Sequence, residues 1–115
     1  MSFTLTGGSI LTKSAKLTTT DPTELYAASK RTVILSIIAT EISGNTPALT
    51  LALFDGTTSY YLRSAFAMTA KQTLIFNEPF ALQSGWSLQA TASAANQVDC
   101  LVTYMSPDAT ALGTN

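Results

Sequence analysis

The sequence has no histidine and a single cysteine, Cys100. A Ser/His or Cys/His nucleophilic pair therefore cannot be assembled from it. A zinc site built on the usual Cys and His ligands lacks its donors, and an intrachain disulfide is impossible. Charge is scarce as well. Charged residues are 11% of the 115 positions, against about 25% in ordinary globular proteins. Six basic and seven acidic residues leave a net charge of −1, with no block of either sign. Nothing in that distribution steers the chain toward a phosphate backbone or an anionic membrane, so neither nucleic acid nor membrane is expected as a partner. No apolar stretch nears the ~18 residues of a membrane helix. The first basic residue is Lys13, so the positive start of a secretory signal is missing. Synthesis in a cytoplasm and a soluble product are expected.

Recognisable chemical motifs are missing too. Gly7-Gly8 is not followed by Gly-Lys-Ser/Thr, and no Gly-x-Gly-x-x-Gly run occurs. Asp55 is explained by a turn, while Glu41, Glu78 and Asp99 read as solvated. None belongs to a cluster dense enough in oxygen ligands for calcium. The sequence therefore nominates no catalytic, cofactor or metal residue, and the chain reads as not an enzyme.

What is abundant is apolar and hydroxyl-bearing. Hydrophobic residues make up 46%, which excludes disorder, and 19 Thr with 12 Ser give a mostly neutral polar surface. The length suits one domain. Its hydropathy has a period of two. Trp86, Leu88, Ala90 and Ala92 share one face of a strand whose other face is polar. Val98, Cys100, Val102 and Tyr104 do the same, which makes Cys100 a buried small hydrophobe. Gln72 to Phe76 supplies another strand, and Ser84-Gly85 and residues 93–96 supply turns. This spacing predicts an all-β chain folded as an antiparallel β-sandwich. Residues 1–20 form an N-terminal arm or edge strand, 21–105 the sandwich and 106–115 a tail. Asp21-Pro22-Thr23-Glu24 carries the signature of a helix start, so at most one short helix is allowed there.

Two segments carry sharper expectations. Asp55-Gly56 suits a two-residue type I′ hairpin turn. With Phe54 facing Thr57, Leu51 meets Tyr60 and Leu49 meets Leu62 on one face; Thr50 meets Tyr61 and Ala48 meets Arg63 on the other. Thr32 to Ile42 is apolar on both parities. Val33, Leu35, Ile37 and Ala39 occupy one face, and Ile34, Ile38 and Ile42 the other. Left in water, those three isoleucines would forgo roughly 1.5–3 kcal/mol each. They are the candidate interface, covered by the arm or by another subunit. Lys30-Arg31 ahead of this strand reads as a solvated gatekeeper pair. Tyr60-Tyr61 sends one ring to each face, so one of them, or Trp86, could serve a carbohydrate-binding module.

The run Thr20-Asp21-Pro22-Thr23-Glu24-Leu25-Tyr26-Ala27-Ala28, then Val33 to Ile38 and Ser43-Gly44, resembles small structural proteins of tailed bacteriophages. The later segments Leu74-Ile75-Phe76, Gly85-Trp86-Ser87-Leu88, Ala90 to Ser93 and Val102-Thr103-Tyr104 are similar to theirs in order and spacing. The resemblance covers roughly residues 18–105 and departs from the family at Ala28-Ser29-Lys30, where proline is common. It implies a jelly-roll-like sandwich and a virion location after synthesis in the host cytoplasm. It further implies a head decoration or cement role, as a trimer or other symmetric ring that bridges capsid subunits, with no cofactor. A neck, tail or fibre-base ring component is the alternative position.

Overall fold

The computed structural model describes residues 9–106. The first eight residues of the expected arm, and residues 107–115 of the expected tail, lie outside the described residues.

Nine strands make up the described chain: β1 (Ser9–Lys16), β2 (Thr23–Ala27), β3 (Thr32–Glu41), β4 (Ala48–Phe54), β5 (Ser59–Ala67), β6 (Thr73–Phe76), β7 (Phe80–Leu82), β8 (Ser87–Ala92) and β9 (Val98–Ser106). All pairings are antiparallel. One sheet has the order β1-β9-β3-β6, with β7 also on β3; the other has the order β2-β8-β4-β5. Strands β6 and β7 act as two halves of one strand, broken at Asn77-Glu78-Pro79, because proline offers no amide to the ladder. Counted that way, each sheet has four strands and consecutive strands repeatedly cross between sheets. That is the order of a jelly-roll-like sandwich.

The core lies between the sheets and is built by the inward parity of each strand. Leu88, Ala90 and Ala92 of β8 meet Val98, Cys100 and Val102 of β9 across it, together with Leu49 and Leu51 of β4 and Ile34 and Ile37 of β3. Tyr26 of β2 and Tyr104 of β9 close one side, with ring centroids 4.4 Å apart and Lys13 Nζ 5.8 Å from the Tyr26 ring. Cys100 is buried, and burial, with the Asp99 charge beside it, pushes its thiol up to about 12. It is an inert thiol that fills space.

The allowance of at most one short helix resolves to none among the described residues, and two other local expectations are corrected. No helix begins at Asp21: residues 23–27 pair with β8 as β2. The buried positions Leu25 and Ala28 and the half-buried Tyr26 gain more from covering the core than a two-turn helix of marginal intrinsic stability could offer.

The Asp55-Gly56 hairpin is wider than a two-residue turn. Phe54 pairs with Ser59, Leu53 with Tyr60 and Ala52 with Tyr61. Only Gly56 has a positive φ, +101°, whereas a type I′ turn needs two such residues. The Asp55 carboxylate instead accepts hydrogen bonds from the amides of Thr57 and Thr58, at 2.8 and 2.7 Å, holding a four-residue loop. Those bonds keep the Asp55 carboxyl below its ordinary pKa. The shift is by two residues, so the two rings still part: Tyr60 keeps the parity of Leu53 and stacks on Trp86, centroids 6.0 Å apart, but is 49% exposed and not part of the core, and Tyr61 takes the outer face. Further along β5, irregular pairing puts Arg63 opposite Leu51 rather than Ala48. Its guanidinium therefore lies over the Phe76 ring, 5.0 Å from the centroid, and not on the Tyr61 face. Ala65, at φ +48°, absorbs part of the irregularity, and its amide donates to the Thr50 hydroxyl at 3.0 Å.

The second correction concerns Glu41, which is completely buried and not solvated. One carboxylate oxygen accepts from the amides of Gly44 (2.8 Å) and Lys71 (2.9 Å); the other accepts from the Ser43 amide (3.0 Å) and the Ser43 hydroxyl. Burial alone raises the pKa of a carboxyl, but the bonds from Lys71, Ser43 and Gly44 outweigh it and hold Glu41 at about 2, below its ordinary 4.5. Glu41 thus ties the β3–β4 loop to the β5–β6 loop. A depressed pKa stabilises the fold above about pH 4.5, and that contribution disappears as pH falls toward 2. Glu41→Gln is expected to lower the thermal midpoint at pH 7 and to flatten its fall between pH 4.5 and 2 relative to the parent chain. Thermal melts across that range check both expectations.

Candidate interaction surface

The register of β1, β9, β3 and β6 lines up side chains in rows across the outer face of the first sheet. On β9 the inward residues are Val98, Cys100, Val102 and Tyr104, so Asp99, Leu101, Thr103 and Met105 point outward. Their partners share that face. One row reads Ser14, Leu101, Ile38, Ile75 from β1 to β6. A second reads Ile10, Met105, Val33, Ala81, ending on β7. Between them runs a hydroxyl row of Thr12, Thr103 and Ser36. Below the first row lie Lys16, Asp99, Thr40 and Thr73. In that lower row Lys16 and Asp99 form an ion pair at 2.5 Å, and the Thr40 and Thr73 hydroxyls are 3.2 Å apart.

Two apolar rows therefore face outward. Leu101 is 42% exposed, Ile75 56%, Val33 37% and Ile10 54%. Ile38 and Ile42 are half-buried and, with Leu101 and Thr40, line a shallow hollow of about 520 Å³ floored by β9 and β1. The outer face of the second sheet is different. Its rows carry Thr50 and Thr91, then Ala52 and Gln89 with Glu24 and Tyr61, and its large exposed hydrophobic group is Tyr61. Apolar side chains otherwise left in water are thus concentrated on one side of the sandwich.

The three isoleucines singled out in the sequence do not share a face. Ile34 is in the core, 1% exposed. The β3–β9 pairing slips by one residue between Ile34 and Ser36, so the strand bulges there and its parity reverses. Thr32 and Ile34 point inward before the bulge, and Ile37, Ala39 and Glu41 after it. Val33 takes the outward place expected of Ile34, while Ile38 keeps its own. The bulge falls where the partner on the other edge of β3 changes from β7 to β6. A strand apolar on both parities tolerates such a slip, because either face can be buried. Leu101 and Ile75 were missed by sequence reasoning. Leu101 does lie opposite in parity to Cys100, and that alternation was the one signal pointing to it.

No family model matches this chain, and no curated protein does. The solved structures that match include two of a pentameric capsid protein isolated from metagenomic phage sequences. One shows 17% identity with a TM-score of 0.53 over 91% of this chain and 65% of the other. The second shows 16% identity and a TM-score of 0.51 over 91% of this chain and 64% of the other. The chain spans just under two thirds of that capsid protein's length. At such identity the likeness speaks to architecture, and the architecture is shared: this chain is an antiparallel β-sandwich similar in fold to a phage capsid protein.

Proposed function

We propose that the chain is a non-enzymatic virion structural protein, a capsid decoration or cement protein that assembles into a closed symmetric oligomer and bridges neighbouring capsid subunits. The observation that carries this reading is the apolar outer face of the β1-β9-β3-β6 sheet, set against the polar outer face of the other sheet. Full burial of a large aliphatic side chain is worth roughly 1.5–3 kcal/mol, these side chains each have about half of that left to gain, and exposed apolar patches of this kind mark interaction sites. A second copy of this chain is the occupant the chemistry favours. The charged pair on this face, Lys16 and Asp99, is already neutralised within the chain, so covering the face requires no complementary charge from a partner. The similar capsid protein is itself pentameric, which supports a homo-oligomer.

The reading is tested by mass and by location. Native mass spectrometry of the purified protein is expected to give one closed multiple of the chain mass, with five copies the number favoured by the similar capsid protein. Labelled protein is expected to bind particles that lack it and to raise their resistance to heat or dilution. A monomer at high concentration that ignores such particles would overturn the proposal.

A further inference from the structure

The opposite face of the sandwich carries a second feature, independent of the first. Across the outer side of the second sheet the register places Gln89 of β8, Ala52 of β4 and Tyr61 of β5 in one row. Alanine is the small member of that row, and its methyl group is buried, 6% exposed, so it forms a floor. Tyr61 stands beside it as a wall, 62% exposed. The hydroxyls of Thr50 and Thr91 lie in the adjacent row, and Ser64 completes the edge. Together they enclose a hollow of about 360 Å³, at the small end of the ~300–1,000 Å³ typical of small-molecule sites.

The lining defines the ligand chemistry. Every residue of the hollow is uncharged, so nothing in it would balance a phosphate or carboxylate after desolvation. Its polar groups both donate and accept. Thr50 Oγ1 accepts from the Ala65 amide and keeps its own proton to donate. The Gln89 amide has only a long, 3.5 Å contact with Ser87 Oγ, so it can turn toward a ligand with either end. An exposed aromatic face beside neutral donors and acceptors suits a molecule with one apolar C–H face and a rim of hydroxyls. We infer that this hollow is a subsite for a neutral hexopyranose, with Tyr61 stacking under the sugar ring and Gln89, Thr50 and Thr91 bonding its hydroxyls.

A single-ring subsite with few contacts binds weakly, with Kd on the order of millimolar. The test is an amide NMR titration of the isotope-labelled full chain with methyl glycosides of neutral hexoses and N-acetylhexosamines, run beside a sialoside. Shifts confined to the neighbourhood of Tyr61, Gln89, Thr50 and Thr91 are expected, with the sialoside giving none. Tyr61→Ala is expected to weaken binding about tenfold or more and Tyr61→Phe to change it by less than about threefold, since stacking rather than the phenol supplies the contact. Tyr61 is solvent-exposed, so both variants should keep the parent's circular dichroism and oligomeric mass. That separates failure of this site from failure of the assembly reading. The inference is overturned by shifts absent at about a hundred times the millimolar scale. It is also overturned by binding that survives Tyr61→Ala, or by a nucleoside or proline-rich peptide outcompeting every sugar.

Discussion

Leu101→Lys is expected to leave the sandwich folded and to abolish assembly. Leu101 is 42% exposed and points away from the core, so a lysine there can reach water without disturbing any inward contact. The same position lies in the apolar row with Ile38 and Ile75, which the proposed oligomer would cover. With 42% of Leu101 exposed, the variant forfeits somewhat under half of the roughly 1.5–3 kcal/mol of full leucine burial at each contact, and must also strip water from an ammonium group, which costs more. Each 1.4 kcal/mol is tenfold in affinity, so association should weaken by about 100-fold or more. Ile75→Lys, on a different strand of the same row, should behave alike. Thr91→Lys on the opposite face should assemble normally. Sedimentation velocity reads the mass of all three, and thermal melts confirm that each is folded. If Leu101→Lys and Ile75→Lys retain the parent's assembled mass, this face is not the contact.

The second large effect separates two isoleucines four positions apart. Ile34→Ala is expected to destabilise the fold by about 2–4 kcal/mol, whereas Ile38→Ala should cost below about 1 kcal/mol in the monomer. Ile34 is enclosed between the sheets, so its truncation leaves a cavity that neighbouring strands cannot fill. Ile38 is on the outer face, where water or a partner can replace the missing methyls. A domain of this size has a total stability of about 5–15 kcal/mol, so the first variant would lose a large fraction of it. Urea denaturation at neutral pH, on a Leu101→Lys background that removes assembly from the equilibrium, reads both values. Equal losses would mean that β3 continues without its bulge.

These predictions mark how far local sequence logic reaches. The strands around Trp86 and Val98 were legible because each has one apolar and one polar parity, and a period of two admits a single way of burying that pattern. The turn at Gly85 was legible because its φ of +87° suits glycine. Thr32 to Ile42 was not legible in the same way. Both its parities are apolar, so hydropathy could not say that the strand bulges, nor that Ile34 and Ile38 part company. Glu41 was misread for a related reason. A carboxylate at a strand end looks solvated until two loops, one of them thirty residues away at Lys71, converge to bond it. At Asp55 the turn residue was correctly identified, but its carboxylate preferred two backbone amides to the tighter geometry.

The fold class was written in the sequence, because alternating apolar residues require sheets; so was the lack of a Ser/His pair, a Cys/His pair or a Cys/His zinc ligand set within these 115 residues, which hold no histidine and one cysteine. Which side chains became surface was fixed by strand pairing in three dimensions. Outward rows are set by cross-strand register, and register depends on bulges and partner changes between segments distant along the chain. Leu101, Ile38 and Ile75 belong to three strands and become neighbours only when β9 and β6 flank β3.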